Sequence, residues 1–387
     1  MKRINSIDFL RGLVMVIMAL DHVRDLVHIT ALTQEPLDFS TTTTSLFMTR
    51  WITHLCAPTF VFLSGTSAYL SFQNQQNLKE NRHFLFTRGI WLIFLNFTIV
   101  NFGIFFDIRF GILFSQVIAA IGFGQIILAL MLKMNPRLIG AIGLTIIFGH
   151  NLFQNIAFEQ SSSLNVIWSI LMKVKYYQIT PDFAYLTSYP YIPWTGIMLA
   201  GYGFGTFFNQ SVLNRQALFL KIGLGALALF IVLRAFNWYG DPKPWLVQKN
   251  NVFTFLSFIN VTKQAPSLLF TLLTLGISVL LLSIFEPIKN KFSDLISVYG
   301  KVPLFYYLIH WYLIHAVAIV IYLSQGYSFS ALQFNGFYFG HPLNGGGLEL
   351  FGTYLTWIVV VVVLYPICQW FWQYKTRNKD KVWLRYL

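Results

Sequence analysis

Residues 266–285 read PSLLFTLLTLGISVLLLSIF. No charged side chain interrupts the run, and roughly 20 helical residues cross a bilayer core of about 30 Å. Lipid offers no partners to backbone N–H and C=O groups, so such a run must close its own hydrogen bonds as a helix. Comparable runs recur on both sides of it. They predict helices over 9–30, 48–72, 84–105, 112–132, 137–157, 190–208, 217–237, 266–285, 300–324 and 348–373. The expected fold class is therefore all-α: a polytopic membrane helix bundle of about 10 transmembrane helices. A single domain is expected over 1–387, with no separate soluble part and no repeat.

Composition agrees. Of 387 residues, 56% are hydrophobic and 11% charged, against roughly a quarter charged in a soluble domain. The net charge of +13 would suggest a nucleic-acid partner in a soluble protein. Here the cations cluster in short loops, which is how membrane proteins anchor their cytoplasmic side, and no nucleic acid is expected.

Charge also sets orientation. With the N-terminus in the cytoplasm, the inner segments hold Lys2, Arg3, Lys79, Arg82, Arg88, Lys133, Arg137, Arg215, Lys221, Lys289, Lys291, Lys301 and a cluster from Lys375 to Arg385. The longer outer segments hold only Arg109, Lys173, Lys175, Lys243, Lys249 and Lys263. An even helix number with both termini inside follows. The expected location is the cytoplasmic membrane. A charged first stretch without an A-x-A site argues for an uncleaved helix rather than a signal peptide. Cys56 and Cys368 fall at opposite faces, so no disulfide is expected, and no metal-binding cysteine spacing occurs.

The first helix is the anomaly. Asp8, Arg11, Met15, Met18, His22 and Asp25 follow a 3-4-3-4-3 spacing that puts them on one stripe. An ionisable group near the centre of a membrane helix costs at least about 2.5 kcal/mol. The stripe should therefore face a protein interior or a water-filled cavity. The competing reading is a salt-bridge network between helices. Arg11 and His22 lie about 16 Å apart along the axis at 1.5 Å per residue, a separation that suits a long substrate with an anionic end near the cytoplasm. Histidine is the side chain best suited to proton transfer near neutral pH, and Asp21 or Asp25 is placed to orient its ring.

Further histidines raise the same question. His54 opens the second span near the depth of His22, as either a partner or a packing residue. His310 and His315 lie five residues apart, about 140° around their helix, so both cannot face one point. Asn96, Asn101, Gln116 and Gln125 either line a path or bond helices together, the second reading being favoured. Gly201–Gly205, reading GYGFG, lies within a membrane helix and reads as close packing rather than a dinucleotide loop. Arg88 and Lys301, at the inner edge, either meet phosphates or obey the charge rule alone.

The stretches SIDFLRG (6–12), with Asp21-His22, and TRWITHLCAP (49–58), with FLSG (62–65), resemble a bacterial membrane family. That family is named for the catalytic region of heparan-α-glucosaminide N-acetyltransferase. Residues 189–205, 301–315 and 383–387 extend the resemblance along the chain. Arg11-x10-His22 is also similar to a pattern in the acyltransferase-three membrane proteins. The resemblance implies transfer of an acyl group, in the first instance acetyl, from cytoplasmic acetyl-CoA to a cell-envelope glycan or small sugar on the outer side. It implies His22 as general base or transient acyl carrier, with His54, Asp21 and Asp25 as further catalytic candidates. Arg11, Asp8, Arg88 and Lys301 become candidates for the CoA end. No metal is expected, membrane lipid surrounds the chain, and a homodimer is left open. The lysosomal enzyme has its catalytic histidine ahead of the second helix, whereas this chain has no histidine from Ile29 to Thr53. A transporter or flippase would explain the same stripe as a solute or proton path.

Overall fold

A computed structural model describes residues 4–75, 77–156, 158–159 and 162–387. Lys2 and Arg3 of the charge pattern lie outside the described residues. The α helices, in chain order, are α1 (Asn5–Val27), α2 (Thr44–Ile52), α3 (Cys56–Gln75), α4 (Leu78–Leu95), α5 (Asn101–Phe105), α6 (Val117–Met131), α7 (Pro136–Gly149), α8 (Ser163–Met172), α9 (Tyr191–Phe204), α10 (Val212–Phe236), α11 (Asn251–Ile259), α12 (Leu268–Phe285), α13 (Lys291–Lys301), α14 (Pro303–Ser324) and α15 (Leu350–Arg377). Among the described residues, extended structure is confined to short pieces, chiefly an antiparallel hairpin of Lys175–Thr180 with Phe183–Thr187.

The helix starts follow local chemistry. Ser267 accepts from the Phe270 N–H at 2.9 Å and starts α12. Asn290 and Ser293 form a reciprocal capping box at α13. Pro136 and Pro303 open α7 and α14, where a missing N–H costs nothing.

Among the described residues, 7 helical stretches are long and apolar enough to cross a membrane: Thr44–Gln73, Leu78–Phe105, Pro136–Phe153, Val212–Phe236, Leu268–Phe285, Pro303–Ser324 and Leu350–Arg377. The protein is thus a helical membrane protein. The other three expected spans have physical reasons for falling short. Helix α1 is 23 residues long but carries Asp8, Arg11, Asp21, Arg24 and Asp25. Helix α6 has 15 residues because Ile112–Ser115 runs as a strand. Helix α9 has 14 residues and then tightens into a 3-10 turn. Helices α8, α11 and α13 occupy segments expected to be loops.

The chain forms two compact units. One comprises Ala57–Asn96 and Phe114–Ile288 together with the described residues of the segment ending at Ser6. Its core is made by α10 on α12, α7 on α9, and α6 between α4 and α9. Glycine permits the closest approaches: a Cβ at Gly201 would lie 2.1 Å from the Phe62 carbonyl oxygen, so α9 and α3 meet backbone to backbone. Asn96 donates to the Phe114 carbonyl at 2.9 Å and accepts from the Gln116 N–H, tying a π-helical turn to the following segment.

The second unit comprises Ile7–Cys56, Phe97–Leu113 and Lys289–Leu387. It holds α1, α2, α5, α13, α14 and α15. Here Gly12 and Gly300 face each other's helices. A Cβ at Gly12 would meet the Ile296 carbonyl oxygen at 2.0 Å, and one at Gly300 the Asp8 carbonyl oxygen at 1.9 Å. Helix α13 therefore lies directly on the first turns of α1.

Candidate active site on the first helix

Four neighbours fix α1 within its unit. The Gly12/Gly300 contact holds its start against α13. The Cys56 thiol donates to the Val14 carbonyl at 3.3 Å, seating the chain just after His54 on the middle of α1. The Trp357 indole of α15 donates to the Val16 carbonyl at 2.8 Å. Beyond the C-terminal end, Leu348 and Ile29 exchange backbone hydrogen bonds with Val27 and Leu348, forming a bridge beside His28.

The two ends of the stripe then have different surroundings. At the start, Arg11 Nη1 donates to the Gly300 carbonyl at 3.3 Å and lies 3.5 Å from Asp8 Oδ1. Lys301 is the next residue along α13, with its Nζ 5.8 Å from the Trp372 ring centre. Asp8, Arg11 and Lys301, three of the residues expected at the CoA end, are thus gathered at one helix contact. Arg88, the fourth, lies half-buried on α4 in the other unit.

Toward the other end, ion pairs dominate one side of the helix. Arg24 bridges Asp21 at 3.0 Å and Asp25 at 2.5 Å, and Arg50 of α2 pairs with the second oxygen of Asp21. Asp21 and Arg24 are buried. Removing one member of such a buried cluster leaves an uncompensated charge, which costs about 3–5 kcal/mol. Both candidate carboxylates are therefore engaged by arginine.

On the other side is a ring cluster. The half-buried His22 ring stacks on Trp311 with centres 3.9 Å apart and planes tilted by 39°. Its centre lies 5.2 Å from that of His310. Tyr306 stacks on His310 at 5.6 Å, and Tyr307 approaches at 5.3 Å. His54 sits in a 3-10 turn between α2 and α3, 2% exposed. His315 faces elsewhere: its Nε2 lies 2.8 Å from the Ile104 carbonyl and its ring stacks on Phe106 at 4.2 Å.

The pairing of His22 with His310 and Trp311 escaped the sequence. One signal was present: His310-Trp311 sits about one turn past two tyrosines, and the span's other imidazole, His315, lies on a different face. What no spacing reveals is which face of α14 meets α1. The polar residues Asn101 and Asn96 do serve as backbone ties, and Asn101 donates to the Ile112 carbonyl at 2.9 Å. Among the described residues, no group of three or more His, Cys, Asp or Glu side chains is arranged to hold a metal ion.

The family model described as heparan-alpha-glucosaminide N-acetyltransferase, catalytic, matches residues 3–235. The chain belongs to this family. Membership implies an acetyltransferase-type enzyme. The matched segment includes every candidate on α1 as well as His54 and Arg88, whereas Lys301, His310 and Trp311 lie beyond it. No curated protein is similar enough to the chain to count as a match.

Proposed function

We propose that the protein transfers an acetyl group from cytoplasmic acetyl-CoA to an amine or hydroxyl of a cell-envelope carbohydrate on the outer side of the cytoplasmic membrane. The observation that carries this reading is the division of α1: cations gathered near its start, and an imidazole held among aromatic rings about 16 Å further along the axis. Both termini lie in the cytoplasm in this reading, and the domain spans 1–387.

Arg11 and Lys301 are only partly buried, so both can meet the phosphates of CoA. Asp8 holds Arg11 in place. The substrate's arm then runs along α1, and its thioester reaches the level of His22. Stacking on Trp311 fixes the imidazole plane, which reduces the orientational cost of proton transfer. His22 is preferred to His54 because its half-buried ring is held on α1 against Trp311 and His310. Asp21 and Asp25 act through the arginine cluster that fixes this part of the helix.

Purified protein in liposomes, given radiolabelled acetyl-CoA outside and glucosamine inside, should release CoA and acetylate the sugar. His22→Ala should lower kcat by about 10²–10⁴-fold, the usual contribution of a proton-transfer residue, with its thermal unfolding unchanged. Transfer at the wild-type rate in that variant would sink the assignment. Movement of sugar without any CoA release by the wild type would replace it with a transporter.

A further inference from the structure

His310 is fully enclosed, at 0% exposure on α14. Its Nδ1 lies 2.6 Å from the Tyr307 carbonyl oxygen. A carbonyl only accepts, so Nδ1 carries the hydrogen, and in the neutral ring Nε2 is then a bare lone pair. Among the described residues, that Nε2 has no hydrogen-bond partner, and neither does the hydroxyl of Tyr306 stacked beside it. Native proteins pair most buried polar atoms, so open ones gathered in one ring cluster call for an explanation. His315 also keeps one open nitrogen, but its ring is stacked on Phe106. His310 lies against a second imidazole, His22.

We infer that His310 is a second catalytic imidazole: its Nε2 takes the proton of the attacking amine or hydroxyl, while His22 protonates the departing CoA thiolate. This inference rests on the acetyl-transfer reading above. The acceptor's nitrogen or oxygen forms a bond to the acetyl carbonyl carbon as its proton passes to His310 Nε2. The carbon–sulfur bond breaks, its electron pair stays on sulfur, and sulfur takes the proton of the His22 imidazolium. A proton then returns from His310 to His22, so acetyl-CoA and acceptor become acetylated acceptor and CoA thiol, and both rings end as they began. The division of labour follows from burial. Half-buried His22 can exchange protons with water, whereas enclosed His310 has its tautomer set by Tyr307.

The titratable groups facing His310 are His22 from α1, and Tyr306 and Tyr307 from its own helix. The pH profile of kcat/KM should be bell-shaped, as for any reaction that needs one group deprotonated and another protonated. The test measures that profile for the wild type and His310→Gln, with acetyl-CoA and glucosamine as probes. His310→Gln should lose the acid limb, keep the alkaline one, and drop about 10²–10⁴-fold in kcat with KM for acetyl-CoA little changed. A variant that keeps both limbs overturns the inference, even if it is slow, because a packing role slows the enzyme without removing a titration. Nitrogen-15 NMR of histidine-labelled wild type provides a readout that needs no turnover. It should show His310 with hydrogen on Nδ1, and hydrogen on Nε2 overturns the inference. A wild type that acetylates nothing overturns the functional reading and leaves the tautomer to be judged by NMR alone.

Discussion

Arg234 on α10 and His310 on α14 are both buried polar residues on long apolar helices, yet they are treated in opposite ways. Arg234, 1% exposed, donates from Nε to the Phe258 carbonyl, from Nη1 to Lys243, and from Nη2 to both Ser257 and Asn260, at 2.7–3.0 Å. It gathers the loop from 238 to 260 around one cation. His310 has one nitrogen satisfied and one left open. A buried group without its partner costs about 1–3 kcal/mol. A residue that only holds structure avoids that cost, as Arg234 does, and a residue that must receive a proton cannot. Both residues are buried and polar, so what distinguishes His310 is an open nitrogen on a ring that lies against a second imidazole.

Arg234→Met offers the largest break in this comparison. Methionine fills a similar volume but leaves four carbonyls without their donor. The expected loss is about 3 kcal/mol or more, seen as a markedly lower thermal unfolding temperature in detergent. Protein that survives should keep the wild-type kcat. An unchanged unfolding temperature would mean that a fully bonded buried cation contributes nothing, and the contrast with His310 would lose its meaning.

Gly300→Val probes the packing that places the site. Its first side-chain carbon would fall 1.9 Å from the Asp8 carbonyl oxygen, so α13 must move off α1. Overpacking of this kind costs about 1–3 kcal/mol. It also separates the Gly300 carbonyl from Arg11, so KM for acetyl-CoA should rise while kcat is less affected. A variant with normal stability and normal KM would show that the α1–α13 contact does not set the position of Arg11.

The apolar runs were legible in the sequence because lipid forces them into helices. The seven spans meeting the length and hydropathy requirement all overlap expected ones. Helices α8, α11 and α13 were not legible, because short amphipathic pieces read as loops until something covers one face. Helix α13 is the instructive case, since Gly300 contributes only a carbonyl and an absent side chain, and neither leaves a pattern. The stripe on α1 was legible from helical periodicity. Its partition into an arginine-bound acidic side and a ring-stacked histidine side was not, because Arg50 and Trp311 arrive from distant segments. The fate of Arg234 was equally hidden: the carbonyls of Lys243, Asn260 and the last turn of α11 carry no sequence signature.

His341 sharpens the comparison with the smallest effect, because it is the same side chain as His310 but with both ring nitrogens engaged. Its Nε2 lies 3.0 Å from the Asp25 carbonyl and its Nδ1 2.7 Å from the Tyr322 hydroxyl, which also reaches the Leu26 carbonyl at 2.9 Å. It ties the loop before α15 to the end of α1. Burial lowers its affinity for a proton below the ordinary imidazole range, partly offset by the Asp25 carbonyl. A group whose folded value is lowered leaves stability intact above the unfolded value, about 6.5, and withdraws it as pH falls toward the lowered value. The slope is at most about 1.4 kcal/mol per pH unit for one group. Hydrogen exchange of the amides of Ile29 and Leu348, corrected for intrinsic rate, should therefore be flat from pH 8 to about 6.5 and accelerate below it. His341→Gln should reduce that acceleration, the rest coming from His28, whose proton affinity burial also lowers, while leaving the acid limb of the kcat/KM profile in place. If the acid limb disappeared with His341→Gln and survived His310→Gln, the titrating base would be the fully bonded histidine, and an open nitrogen would no longer mark the chemistry.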